Sequence, residues 1–284
     1  MTGYTASQTA GSNKDPGPRA ETMPGRSDVQ PTVTVQIIEA TAELRLDNGP
    51  LNLVDQTLLH SLDKALTHVE KQSGVRALVL HGGSGRAFCA GSDMRTFAGL
   101  GDSAAERKIL FEDWVLRRLA ALPFPTIAAV DGPALGGGLE LALACDLRVV
   151  RAGVSLGLTE SRIGGLAGNG ALRLTRLIGP GRAKEMLFTG ETISVDKALE
   201  WGLVNRLAAE SALQEARELA AAIGGRGPLS NRLAKELVES ALDSPLGAGL
   251  AKATVLQQRI FDSADLSAGV ASFFDKRNAE FTGA

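Results

Sequence analysis

Three consecutive glycines precede an apolar run that contains one carboxylate, and this segment offers the most evident chemistry in the chain. The segment Asp131–Cys145 reads DGPALGGGLELALAC and follows the β-rich segment Thr126–Val130. We predict a strand, a tight turn at Gly136–Gly138 and a buried helix. Glycines let another molecule approach backbone N–H groups, and the first N–H groups of a helix lack partners within it. The turn can therefore donate hydrogen bonds to a negatively charged oxygen.

Glu140 lies inside this apolar run, between two leucines. A carboxyl group in such surroundings is poorly solvated and protonates more readily than one at the surface. On this segment alone, a packing turn with a Glu140 that faces solvent fits equally well.

A second glycine-flanked loop follows another predicted strand. The loop residues Cys89–Asp93 read CAGSD and come after the buried strand 76–80. If both strands lie in one sheet, their loops can project from the same edge, where α/β sheets usually bind ligands. Two backbone N–H groups aimed at one point form an oxyanion hole, and Ser92 suits this role because the donor is its main chain.

Apolar periodicity predicts the elements that hold these loops. The predicted extended segments are 33–38, 42–46, 76–80, 126–130, 146–150 and 154–160. The predicted helices contain 58–69 (capped by Asp55), 104–121, a segment that ends at Leu174, 181–188, 194–202, 211–223, 229–242, 247–260 and 266–280. Strands that alternate with helices indicate an α/β fold with a mainly parallel sheet, and strand signals vanish beyond residue 181.

Composition restricts the class of protein. The chain has 284 residues, 44% of them hydrophobic, and a net charge of −2 with scattered basic residues, which argues against nucleic-acid binding. No apolar run is long enough to span a membrane, and no secretory signal begins the sequence. Two cysteines and three histidines without ligand spacing predict no disulfide and no metal site. We expect a cytoplasmic protein.

The first 32 residues are rich in proline and glycine and nearly lack large apolar side chains. Such a segment cannot bury enough surface to offset the entropy lost on ordering, so we predict a disordered tail over 1–32. The tail holds Tyr4, the only tyrosine, which leaves the remaining chain without a phenol for catalysis. We divide that remainder into a core at 33–225 and a helical region at 226–284.

Two loops and several later segments resemble those of the enoyl-CoA hydratase/isomerase (crotonase) family. The loops are Arg86–Asp93 (RAFCAGSD) and Asp131–Glu140 (DGPALGGGLE). The later segments are Ser155–Glu160, Ile178–Leu187, Ala198–Asn205 and Gly269–Arg277, so that the likeness covers about residues 33–281 in order. Thr159 stands where the family usually has proline.

The resemblance implies a spiral of ββα turns, with a C-terminal helical region that builds trimers, commonly paired into hexamers. It implies a coenzyme A (CoA) thioester substrate whose carbonyl meets the N–H groups of Ser92 and Gly137. Glu140 would help to activate a water molecule and Glu160 would handle the α-proton, with Gly168 beside the water. It also implies contacts of CoA with Ala90, Arg95 and, from a neighbouring subunit, Phe273 and Lys276. CoA belongs to the substrate, and no further cofactor is expected.

These implications predict an enoyl-CoA hydratase, a hydro-lyase that adds water reversibly in syn geometry to a 2-trans-enoyl-CoA. Within the same fold, the alternative is a Δ-isomerase in which one carboxylate moves a proton along the acyl chain. From another class, the alternative is a non-catalytic scaffold that binds CoA or RNA. The presence of two glutamates favours hydration. If Glu160 instead formed an ion pair with Arg162, Glu160 would be a structural charge in the loop and would not be catalytic.

Overall fold

The computed structural model describes residues 32–97 and 99–284. The predicted tail therefore lies outside the described residues except for Thr32, and the predicted borders at 33, 225 and 226 remain predictions. No helix in these two ranges is long and apolar enough to cross a membrane.

Within the described ranges, nine strands form two sheets. They are β1 (Val33–Ile38), β2 (Thr41–Leu46), β3 (Ala77–His81), β4 (Thr126–Val130), β5 (Ala134–Leu135), β6 (Leu147–Arg151), β7 (Ser155–Gly157), β8 (Ile193–Ser194) and β9 (Arg206–Ala208). The larger sheet has the order β1-β2-β3-β4-β6-β9, and the smaller has the order β5-β7-β8. Only the β1–β2 hairpin is antiparallel in the larger sheet, which confirms the prediction of a mainly parallel sheet.

Helices connect these strands and make up the C-terminal region. They are α1 (Gln56–Glu70), α2 (Leu110–Ala120), α3 (Gly137–Leu143), α4 (Gly168–Thr189), α5 (Val195–Glu200), α6 (Ala212–Gly224), α7 (Pro228–Ala241), α8 (Leu246–Phe261) and α9 (Ala264–Phe274). A π-helical turn at Ala105–Ile109 precedes α2, and a 3₁₀ turn spans Glu160–Ile163. Asp55 caps α1 as predicted, because its Oδ1 accepts a hydrogen bond from Leu58 N at 2.7 Å.

The central strands β3 and β4 of the larger sheet are buried on both faces, which explains their continuous apolar runs. In β3, Leu78 and Leu80 point into the main core, whereas Ala77 and Val79 point to the opposite face and pack against α6. That helix presents small residues at four-residue spacing, namely Ala212, Ala216 and Ala220. Their small size lets α6 lie close to the sheet.

Asp131, at the end of β4, fixes the beginning of α6. Its carboxylate accepts hydrogen bonds from the N–H groups of Ala212 at 2.6 Å and Leu213 at 3.0 Å. Arg151 also donates to the main-chain oxygen of Asp131, at 2.7 Å through Nη2. The first residue of the glycine-rich segment thereby connects the turn before α3 to the helix that covers the other face of the sheet.

The prediction of no strands beyond residue 181 was wrong, and the bounds of two predicted helices differ from those observed. Strands do occur beyond residue 181, because β8 pairs with β7 and β9 forms an edge of the larger sheet. Both are so short that they contain no readable alternation, and their partners stabilise them. The helix predicted at 181–188 belongs to α4, which has one non-helical residue, Gly179 at φ 77°, and the predicted helix 266–280 ends at Phe274.

Candidate active site

The structure brings the two glycine-flanked loops into direct contact. Cys89 N donates a hydrogen bond to Pro133 O at 3.3 Å, and Leu135 N donates to Cys89 O at 3.1 Å. A methyl group on Gly138 would lie 2.0 Å from Cys89 O, so that only glycine fits at this crossing. The prediction that both loops meet at one edge of the sheet is confirmed.

The main chain around Ser92 is held by Val54. Gly91 O accepts a hydrogen bond from Val54 N at 2.9 Å, and Asp93 N donates to Val54 O at 2.8 Å. This pairing uses the groups on either side of Ser92 and directs the Ser92 N–H away from Val54. No partner for that N–H occurs among the described residues.

Gly137 begins α3 and lies beside Ser92. Its N–H belongs to the first turn, where helices leave donors without intrahelical partners, and within 32–97 and 99–284 it has none. The preceding Gly136 has φ 51° and ψ −127°, a conformation that residues other than glycine rarely adopt. A Cβ on Gly137 would lie 3.6 Å from Ser92 N, so the two free donors share one small space.

Glu140 lies one turn into α3 and is buried. Gly170, in the first turn of α4, donates its N–H to Glu140 Oε1 at 2.6 Å. Burial raises the pKa of Glu140 to about 7, although the hydrogen bond from Gly170 opposes this shift; Glu112 and Glu160 raise it further. This carboxyl group can therefore gain and lose a proton near neutral pH.

Glu160 begins the 3₁₀ turn and reaches the space beside Gly136. A Cβ on Gly136 would lie 2.8 Å from Glu160 Oε1, and Glu160 Oε2 is buried without a hydrogen-bond partner in the described part of the chain. Burial raises the pKa of Glu160, and the charge of Glu112 raises it further. The alternative interpretation, a loop charge paired with Arg162, finds no support, because the ion pairs of the described residues do not include it.

The predicted neighbour of the water, Gly168, begins α4 and has open space at its Cα. The contact between α4 and Glu140 is made two residues later, by Gly170. A Cβ on Gly170 would lie 3.0 Å from Glu140 Cγ, so this glycine also makes room for the glutamate. Gly170 was not among the residues predicted from the sequence, although the pair of glycines around Asn169 is a signal for close packing.

The predicted CoA contacts are less tightly grouped. Ala90 lies in the first loop, where its N–H donates to Leu51 O at 2.9 Å. Arg95 has an exposed side chain that pairs with Asp93 at 2.7 Å, and Asp93 also accepts a hydrogen bond from Arg95 N, so it stabilises the turn after Ser92. Phe273 and Lys276 are exposed at the end of α9, which packs against α8, so this chain alone does not join them to the other candidates.

Some other side chains near the two loops are part of the packed structure, and others are exposed. His81 is buried, its Nδ1 accepts a hydrogen bond from Gly83 N at 3.2 Å, and burial lowers its pKa. Leu139 belongs to the core, whereas Met94 and Phe97 are exposed. In the described ranges, no group of three or more His, Cys, Asp or Glu side chains could hold a metal ion.

A charged pair that sequence analysis missed lies beside this site. Lys108 Nζ contacts Glu112 Oε2, and both side chains are mostly buried. Glu112 Oε1 lies 3.6 Å from the Cβ position of Gly137. The only signal in the sequence was the four-residue spacing of Lys and Glu, which usually marks a solvated helix face.

Comparisons with known proteins show the family to which the chain belongs. Residues 36–284 match the family model described as enoyl-CoA hydratase/isomerase. The chain is 37% identical to "Probable enoyl-CoA hydratase echA8" of Mycobacterium tuberculosis, with 82% of this chain and 90% of that protein covered. It is 35% identical to "Enoyl-CoA hydratase domain-containing protein 2, mitochondrial" of Homo sapiens, with 82% of each covered.

A solved structure shares the fold. The crystal structure of an enoyl-CoA hydratase from Bacillus anthracis superposes with a TM-score of 0.85 at 33% identity and covers 89% of this chain and 100% of that chain. The predicted α/β fold of the crotonase type, with a helical C-terminal region, is thereby confirmed.

Proposed function

Because the chain belongs to the enoyl-CoA hydratase/isomerase family, whose members act on acyl-CoA thioesters, we propose that it is an enoyl-CoA hydratase. It would add water reversibly and in syn geometry to a 2-trans-enoyl-CoA and form a 3-hydroxyacyl-CoA. The observation that carries the proposal is the grouping of the buried Glu140 and the half-buried Glu160, both with raised pKa values, around two free main-chain donors.

The two donors suit the thioester oxygen. When water attacks C3 of the acyl chain, the electrons of the C2–C3 double bond move toward the carbonyl and leave an enolate oxygen. The N–H groups of Ser92 and Gly137 would donate to that oxygen, and preorganised donors of this kind typically contribute about 10²–10³ in rate each. No side chain is required, which is consistent with serine at one position and glycine at the other.

The two glutamates suit the proton transfers. An ionised Glu140 would accept a proton from the attacking water, whose oxygen bonds to C3, and a protonated Glu160 would deliver a proton to C2. After the addition, Glu140 releases its extra proton to water and Glu160 takes up a proton from water, which restores both groups to their starting states. Burial raises the pKa of Glu140 to about 7 and also raises the pKa of Glu160, so both carboxyl groups bind a proton more readily than an exposed glutamate does.

The experiment compares Glu140→Gln and Glu160→Gln with the wild type. Each substitution should lower the kcat for hydration of crotonyl-CoA by about 10²–10⁴, because one transfer loses its acid or base. Loss of absorbance of the conjugated enoyl thioester measures hydration, and calorimetry with a saturated acyl-CoA should show that binding is kept. Glu210→Gln, at an exposed glutamate, is the matched control.

The remaining alternatives are outcomes of the same assay. Appearance of the conjugated absorbance from a 3-enoyl-CoA, without hydration, would favour the isomerase, for which a single carboxylate such as Glu160 suffices. Binding of acyl-CoA without turnover of short, long, branched or aromatic enoyl-CoAs would favour the scaffold. Near wild-type turnover in either glutamine variant would show that the roles given to these residues are wrong.

The cofactor and location of the protein are also proposals. We propose a reaction that needs no cofactor besides the CoA of the substrate, since the two acids and two donors provide each transfer. A reducing compartment such as the cytoplasm suits Cys89 and Cys145, which are free and buried and whose pKa values burial raises to about 12. Measurement of turnover in metal-free buffer and fractionation of cells test the two points.

A further inference from the structure

The ion pair between Lys108 and Glu112 differs from its neighbour on the same helix. The Lys108 and Glu112 side chains are only 19% and 12% exposed, whereas those of the next i,i+4 pair, Arg117 and Asp113, are 63% and 35% exposed. An exposed pair of this spacing contributes little to stability or to the surrounding field. A buried pair acts on nearby charges through a lower effective dielectric constant.

Glu112 reaches the space that the two main-chain donors share. Its Oε1 lies 3.6 Å from the Cβ position of Gly137, and Ser92 Oγ lies 3.1 Å from the same point. Oε2 contacts Lys108, whereas Oε1 has no hydrogen-bond partner in the described part of the chain. A carboxylate at this place, if it were not neutralised, would oppose the negative charge that develops on an oxygen bound to the donors.

Both members of the pair act on both candidate acids. After burial, which is the largest cause, Glu112 raises the pKa of Glu140 and of Glu160, and Lys108 lowers both. The other groups that face Glu140 are Glu160 from the 3₁₀ turn, and Gly170 N–H and Arg173 from α4. The ion pair is therefore the source of opposite charges on the α2 side of the site.

We propose that Lys108 and Glu112 are positioning residues of this active site, which act through their charges on Glu140 and Glu160 and keep the space beside the Ser92 and Gly137 donors close to neutral. The inference rests on the proposed function for its kinetic consequence. The effect of the two charges on the ionisation of Glu140 and Glu160 can be measured without turnover. The negative charge of Glu112 favours the protonated forms of Glu140 and Glu160, and the positive charge of Lys108 offsets that effect.

The test compares Lys108→Met, Glu112→Gln and the double variant with the wild type in the pH profile of kcat/KM for crotonyl-CoA. Removal of Glu112 should move the acid limb to lower pH, and removal of Lys108 should move it to higher pH. We expect shifts on the order of half a pH unit, or about threefold in kcat/KM on the limb. The double variant should lie between the two single variants.

Two further variants separate a charge effect from a loss of packing. Lys108→Arg keeps the positive charge and should keep the wild-type limb, and Glu106→Gln removes an exposed carboxylate from the same segment and should leave the profile unchanged. Shifts in the same direction in both single variants, or none in either, would overturn the proposal. If Lys108→Met does not fold, the comparison uses Glu112→Gln and the double variant. A shift of the acid limb to lower pH in Glu112→Gln that is reversed in the double variant would support the proposal. The absence of this reversal would contradict it.

A direct titration distinguishes failure of this inference from failure of the proposed function. Isotope-edited infrared spectra follow the ionisation of the glutamate carboxyl groups without substrate, with Glu140→Gln and Glu160→Gln used to assign the bands. Opposite displacements in Glu112→Gln and Lys108→Met would support the pair even if no enoyl-CoA reacts. If hydration occurs but neither titration moves, the function stands and the role of the pair is refuted.

Discussion

Glu140 is placed where an ionised carboxyl group is costly and a protonated one is tolerated. It is buried among apolar residues of α3, and the N–H of Gly170 donates to one of its oxygens. Burial raises its pKa from 4.5 to about 7. An acid or base that works near neutral pH needs such a value, and the same displacement lowers the stability of the fold.

Glu140→Gln should therefore stabilise the protein at pH 8. In the wild type, a carboxyl group with a pKa of 4.5 when exposed and about 7 when buried disfavours folding progressively as pH rises through that interval. Glutamine has no charge, and its oxygen can still accept the hydrogen bond from Gly170. The free energy of unfolding should increase by about 2–3 kcal/mol above pH 7 and change little below pH 4.5.

Urea unfolding at pH 8 and pH 4.5, at equal protomer concentration, measures this difference. Glu210→Gln provides the control, because its exposed side chain pairs with no base among the described residues. A Glu140→Gln protein that is less stable than the wild type at pH 8 would contradict the interpretation. Together with the kinetic loss, a gain in stability would identify Glu140 as a residue kept for function.

Among the secondary-structure elements, the first loop crosses the start of α3, and this crossing aligns the N–H groups of Ser92 and Gly137. Cys89 O accepts from Leu135 N and faces Gly138, whose missing side chain allows the approach. Val54 holds the chain on the far side of Ser92. Since three segments meet within a few residues of both donors, a shift in any of them would separate the Ser92 and Gly137 N–H groups.

Gly138→Ala should be severely destabilising. The new methyl group would lie 2.0 Å from Cys89 O, a main-chain atom that cannot rotate away. Overpacking that moves the backbone typically costs about 1–3 kcal/mol, and more where nothing can yield. Thermal unfolding and the yield of folded protein measure the effect.

Gly181→Ala is the matched control for that substitution. Gly181 lies in α4, with no atom within 4 Å of its Cβ position, so alanine should be neutral or stabilising by up to about 1 kcal/mol. If both alanine variants unfolded alike, steric exclusion at the crossing would not be the reason for Gly138.

At the scale of the whole molecule, the most notable feature is the helical C-terminal region, which leaves many large apolar side chains exposed. On α7, α8 and α9 these are Val238, Leu242, Leu246, Leu250, Val255, Phe261, Val270, Phe273 and Phe274. The small core of this region contains Leu229, Leu233 and Leu256. Such an exposed apolar surface is typical of a face covered by another copy of the chain.

We propose that the protein forms the homotrimer or homohexamer that the family resemblance implies, with this apolar surface at the contact between copies. Leu250→Asp combined with Val255→Asp should shift the protein toward monomers, because a buried unpaired carboxylate is strongly unfavourable at an interface. Light scattering coupled to size-exclusion chromatography measures the mass of the assembly. Lys252→Asp, between the two positions, controls for the change in charge; a monomeric wild-type protein would refute the expectation.

The sequence was sufficient to predict the regular part of the fold and to nominate residues for the site, whose roles remain proposals. Patterns of apolar residues are local, so apolar runs predicted β3 and β4, and the sequence pattern also predicted β2 and β6, each within one residue of its observed bounds. The two glycine-flanked loops indicated Ser92, Gly137 and Glu140, and the family resemblance added Glu160. The three-residue strand β9 has no pattern of its own, because it exists only through its pairing with β6.

Contacts between distant segments required the folded chain. Gly170 is thirty residues from the Glu140 oxygen to which it donates, and Glu112 approaches Gly137 from a different helix. The buried state of Lys108 and Glu112 depends equally on neighbours that no local spacing reveals. Residue types in order define which groups are available for chemistry, whereas the pKa values and the pairing of those groups depend on burial, which arises only when the segments pack together.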